Sequence, residues 1–139
     1  MHRAEQSLQA IKTNLTGLTV TGASIHRAFE EIPAVPALVL KMESDAVIDS
    51  AYGQFNRALS FAVDIQIKKS ATAEATFNQI RAEVHKALML DITQGLAFID
   101  RTEPVIDDAP AQKDLERPII EQSMHFRVYY SHSTKDTEV

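Results

Sequence analysis

Leu59-Ser60-Phe61-Ala62-Val63-Asp64-Ile65-Gln66-Ile67-Lys68 decides how this chain folds. Every odd position is large and apolar, and every even one is small, polar or charged. A helix would scatter the five apolar side chains round its circumference, whereas a strand puts them all on one side. The stretch therefore predicts a long strand with one dry face. Leu38, Leu40 and Met42 alternate in the same way with Val39, Lys41 and Glu43, which predicts a partner strand. Between the two, residues 44–56 show no alternation and read as a loop longer than a hairpin turn requires.

Outward from these strands the period changes. Ala4, Leu8, Ile11 and Leu15 recur at steps of four, three and four, so residues 2–15 read as an amphipathic helix. Gly17 stands where a left-handed stop belongs. Residues 25–29 suggest a short strand. Phe77, Ile80, Val84 and Leu88 put a second helix over residues 71–90, with Ser70 or Thr72 available to cap it. A strand is expected near 96–106, after Gly95. The last runs over about 118–130, with Ile120, Gln122, Met124, Phe126, Val128 and Tyr130 on one face and Glu121, Ser123, His125 and Arg127 on the other. The expectation is a two-layer α+β domain: a mostly antiparallel sheet of about four to five strands packed against two helices. One domain should span residues 1–139, with 131–139 as a flexible tail.

Composition narrows the function by exclusion. The 139 residues include no cysteine, which removes disulfide frameworks, thiolate zinc sites and cysteine nucleophiles. A net charge of −5 argues against a general nucleic-acid binder, which needs a basic stripe. No apolar run approaches the ~20 residues of a membrane span, and Glu5 and Gln6 stand where an export signal would need its apolar segment. Four glycines make no phosphate loop, and His2, His26, His85, His125 and His132 show no metal-ligand spacing. Asp107-Asp108 reads as a solvated turn, and no serine sits in a nucleophile elbow. The sequence offers no catalytic, cofactor-binding or metal-binding residue.

What stands out is sheet surface. Strands this long in a small domain expose edges and rims. Lys68, Lys69, Glu121 and Arg127 would blunt them in a monomer; assembly into a ring or dimer accounts for the same pattern.

The order of elements meets a known family at three places. Ile32-Pro33-Ala34-Val35-Pro36-Ala37-Leu38-Val39-Leu40 leads into the first clear strand, Phe61-Ala62-Val63-Asp64-Ile65-Gln66-Ile67 is the second, and Phe126-Arg127-Val128-Tyr129-Tyr130 ends the closing hairpin. Over nearly its whole length the chain resembles the tail terminator proteins of long-tailed bacteriophages and prophages, also called minor tail or tail completion proteins. The resemblance implies a virion protein, assembled in the host cytoplasm, that forms a hexameric ring at the head-proximal end of the tail. Such a ring caps the tail tube, stops its polymerisation and receives the head-side connector, while DNA passes through without specific binding. It implies no catalysis, cofactor or membrane. The loops at 44–56 and 107–117 would face tube or connector, with Tyr52, Phe55 and Leu115 as apolar anchors; Phe55 would equally serve to pin its loop to its own subunit.

The acidity has a location under this reading. Residues 43–50 hold Glu43, Asp45 and Asp49 and no Lys or Arg; residues 103–117 hold five acids, Asp107 and Asp108 among them, against Lys113 and Arg117. Asp45, Asp49, Asp107 and Asp108 are thereby expected on a rim or lumen that repels DNA. Other readings are a different neck or head–tail joining component and a small oligomeric ligand-binding module.

Overall fold

The computed structural model describes residues 2–18, 24–27, 35–105, 112–114 and 119–133. Helix α1 (Arg3–Leu15) is followed by strands β1 (Ser24–Arg27), β2 (Ala37–Ala51) and β3 (Gln54–Lys68), helix α2 (Ala73–Met89), and strands β4 (Ile99–Val105), β5 (Gln112–Asp114) and β6 (Ile119–Ser133). The sheet order is β1-β2-β3-β6-β4, with β5 also against β6. Only β1 and β2 run parallel; the other pairs are antiparallel. The fold is the expected α+β one, with six strands among the described residues. Because β6 lies between β3 and β4, the unit β3–α2–β4 is a split crossover whose helix must pass over β6.

Both helices pack on one face. Leu59, Phe61, Val63, Ile65 and Ile67 of β3 meet Leu8, Ile11 and Leu15 of α1 and Phe77, Ile80, Val84 and Leu88 of α2. Phe61 stacks on Phe126 of β6, ring centroids 5.6 Å apart. The dry face read from the alternation is thus the core face, and the two helical stripes are what cover it. Each large side chain buried there contributes about 1.5–3 kcal/mol. Gln94, caught beneath the helices, is paired through its side-chain amide. Gln94 donates to the Leu88 carbonyl (2.9 Å) and to Thr102 (3.1 Å), and accepts from Asn14 (2.7 Å), tying α1, α2 and β4 together. The positive φ of Gln94 and Gly95 turns the chain there, so β4 begins only at Ile99, while Leu96 and Phe98 pack on the core from the turn.

Three expectations are corrected. Residues 44–56 are not a loop: β2 continues to Ala51 and β3 begins at Gln54, with Tyr52-Gly53 as a two-residue turn. The alternation fails there because β2 carries two bulges, between Met42 and Ser44 and between Val47 and Asp49. Each adds an unpaired residue and reverses which parity faces the helices. The second loop, expected over 107–117, contains β5, which pairs Gln112 with Gln122 and Asp114 with Ile120. Ser131, His132 and Ser133, expected in a flexible tail, extend β6 and pair with Asn56, Phe55 and Gln54, while 134–139 lie outside the described residues.

Candidate assembly surface

The β2–β3 hairpin is longer than anything that covers it. Fourteen steps of ~3.3 Å make β3 about 46 Å long, against about 25 Å for the 17 residues of α2. One half lies under the helices; the other, residues 43–58, projects as an arm. At the arm's end the φ angles are +53° at Tyr52 and +76° at Gly53, the signature of a type I′ turn. That turn normally takes Asn or Gly first, because a bulky side chain is strained at positive φ. Tyr52 occupies the position all the same, and its side chain is fully exposed. Met42 (51% exposed), Val47 (47%) and Ile48 (53%) continue the apolar surface down β2.

The arm is braced where it leaves the body. The Tyr130 hydroxyl donates to both carboxylate oxygens of Asp45 at 2.9 Å, and Arg57 lies 3.6 Å from the same carboxylate. Arg57 also donates from Nε to Nε2 of His132 at 2.8 Å. Arginine can only donate and the Ser133 carbonyl, 3.0 Å from Nδ1, can only accept, so the imidazole proton sits on Nδ1. His132 is buried between Phe55 (5.4 Å) and Tyr130 (6.5 Å). Burial first, and then the bond to Asp45, hold the Tyr130 phenol well above its ordinary pKa. From α1, Arg3 donates to the Ser131 carbonyl and covers the Phe98 ring at 4.8 Å.

The sheet face away from the helices carries no helix among the described residues. Its side chains pair with one another across the strands. Asp64 accepts from Ser123 (2.6 Å) and faces Lys41 (3.7 Å); His125 donates to Glu43 (2.8 Å); Gln66 donates to Glu121 (2.9 Å). Near β4, Tyr129 donates to Glu103 (2.8 Å) beneath the Arg101 guanidinium, 3.9 Å from the ring. Each such cross-strand pair contributes about 0.2–1 kcal/mol, so this face holds register more than it adds stability. Ala62 is buried on it with no helix above, flanked in register by the longer Lys41 and His125.

Of the expected site residues, the structure places four. Tyr52 is at the tip. Phe55 is half-buried and turned onto His132 of its own chain. Asp45 is held inward by Tyr130 and Arg57, while Asp49 stays exposed on the arm and accepts from Asn56. Leu115, Asp107 and Asp108 lie outside the described residues. Sequence reasoning missed Arg57 and His132, whose partnership spans 75 positions and leaves no local trace. It also missed Val47-Ile48, an apolar pair in a polar stretch that was the available signal. Lys68, Lys69, Glu121 and Arg127 are on β3 and β6 or at their ends, strands inside the sheet, so the long free edge belongs to β2 and not to them. Beyond Leu40, none of the described residues pairs with the outer side of β2. Glu5, bonded to Arg27 at 2.7 and 3.3 Å, is held below the usual carboxylate range by that guanidinium.

Among the described residues no three His, Asp or Glu side chains converge as a metal site. No helix among the described residues is long and apolar enough to cross a membrane. No protein-family profile matches the chain, and no curated protein matches it in sequence. A solved structure does: a chain from the virion of a native gene transfer agent (GTA) particle, with a TM-score of 0.62 over 90% of this chain and 94% of that one. The identity is 14%, so the likeness is one of fold.

Proposed function

We propose that the chain is a virion structural protein of the tail-terminator kind: a subunit of a hexameric ring at the head-proximal end of the tail tube. The ring stops tube polymerisation by covering the growing end and offers its other surface to the head-side connector. Its work is steric and associative, with no bond made or broken and no cofactor. The observation that carries this reading is the end-to-end likeness of fold to a chain of a virion particle. The projecting arm adds support, because a strand edge and an apolar tip left bare on a small domain are what an assembly interface consumes.

Six chains of charge −5 would bring about −30 to the ring. DNA then passes without sticking, and Asp49, exposed on the arm, contributes to the repulsion. Electron microscopy of the purified protein mixed with tail tubes tests the proposal. Six-fold rings seated on one end of tubes of uniform length are expected. Rings that bind the connector and leave the tube bare would assign the chain to another part of the neck. A stable dimer retaining a small molecule, measured by mass in solution, would make it a ligand-binding module.

A further inference from the structure

The two ends of the β2–β3 hairpin differ in form and are opposite in charge. At the tip, Tyr52 projects a fully exposed aromatic ring at a positive φ that disfavours it. Behind it, residues 43–58 carry Glu43, Asp45, Asp49 and Arg57, a net −2. At the opposite end, which we call the foot, Val35, Pro36 and Ile67 floor a shallow cleft of about 220 Å³ rimmed by Lys68, Ser70 and Thr76. Lys68 and Lys69 are exposed, a net +2, and no ion pair holds either among the described residues. Helix α2 starts at the same end; its cap residue, Thr72, makes no side-chain bond to the first turn, so the helix's positive pole adds to the lysines' field. Glu74, exposed in the first turn of α2, takes back one of the lysine charges, so the described foot nets +1. Glu121 is bonded to Gln66 on the helix-free face.

From this juxtaposition we infer that the arm's occupant is a second copy of the chain: the tip of one subunit docks on the foot of the next. The Tyr52 ring lies over Val35, Pro36 and Ile67, with its hydroxyl toward Ser70 or Thr76, and Asp49 faces Lys68 and Lys69. A different patch meets a different patch, so the contact is heterologous and closes into a ring when the rotation per subunit allows. The inference rests on the ring reading above and adds to it which surfaces meet. A larger cleft of about 520 Å³ lies between α1 and β2 and is floored by Leu8, Leu40 and Met42. Its rim charges are already matched within the subunit by the Glu5–Arg27 fork. It also lies on the arm's own edge of the sheet, where an exchange of arms would make a two-fold dimer.

The absence of cysteine makes the test clean, because introduced thiols are the only ones present. Tyr52→Cys and Lys69→Cys are both at exposed positions, and far-UV circular dichroism and thermal melting check that each variant folds. Treated with a short bismaleimide, the 1:1 mixture should give covalent dimer at least tenfold above either variant alone. A chain carrying both substitutions should give a ladder ending at the ring. Charge reversal at Lys68 and Lys69 to Glu should abolish assembly, and adding Asp49→Lys should restore part of it. Tyr52→Cys cross-linking to itself as well as in the mixture would overturn the inference in favour of a two-fold contact. Rings of wild-type protein on tail tubes, with no tip-to-foot cross-link, would overturn it while leaving the ring standing. A wild-type chain that assembles neither alone nor on tubes would remove the ring reading and this inference with it.

Discussion

The two halves of one hairpin obey different rules. Under the helices, β3 alternates strictly, because every second side chain has to leave water. On the arm only the backbone ladder and a few braces hold the strands together, so alternation lapses and bulges are tolerated. The body half is specified by burial, the arm half by its turn and by Asp45, Tyr130, Arg57 and His132. Stability and assembly are therefore expected to separate along a single pair of strands.

Four substitutions grade that separation. Phe61→Ala, in the fully buried stack with Phe126, should cost about 3–5 kcal/mol, seen as a lower urea midpoint with the slope unchanged. An arm substitution of equal cost would break the distinction. Tyr130→Phe removes the donor on which Asp45 rests and should cost about 2 kcal/mol. It should also change the alkaline limb. The phenol's pKa is raised in the folded chain, so its contribution is complete below the unfolded value of about 10 and is lost as pH rises beyond it. Thermal melting from pH 8 to 11 should show the wild type losing stability in that window and the variant losing less.

Gly53→Ala places a Cβ at φ +76° with open space around it, so the cost is backbone strain alone, about 1 kcal/mol by denaturant titration. Tyr52→Asn is the smallest in stability and the most telling. Asparagine suits the turn, so the melting temperature should hold or rise slightly, while capping of tail tubes counted by electron microscopy should fall. A loss of fold would show that Tyr52 serves its own chain. Unchanged capping would show that the strained aromatic has no partner.

The body was legible because burial writes itself locally. The stripe Ala4-Leu8-Ile11-Leu15 and the five apolar positions of β3 required nothing beyond period and side-chain type, and each became core. Of the face read on β6, Ile120, Phe126, Val128 and Tyr130 did so, while Met124 is partly buried and packs against the core. Residues 44–56 were not legible, for the same reason. An exposed strand needs no dry face, two bulges scramble what parity remains, and Tyr-Gly lacks the Asn-Gly or Asp-Gly form that marks a hairpin turn. Tyr52 was singled out as an apolar anchor of a loop; that it stands at a strained turn position became visible only with the turn. The pairing of Arg57 with His132 was not seen, since their meeting depends on the β3–β6 register.

The sequence by itself determined which side chains leave water, and with them the two helices, the long alternating strands and the α+β class. It also determined that the acidity is local, with residues 43–50 holding three acids and no Lys or Arg. Only the tertiary structure decided that β2 and β3 outrun the helices, that a tip and a foot lie at opposite ends of one hairpin, and which acid is exposed. Burial is a local property and leaves a period in the chain. Pairing, length mismatch and the facing of charges are relations between distant residues, and they exist only once the sheet has formed.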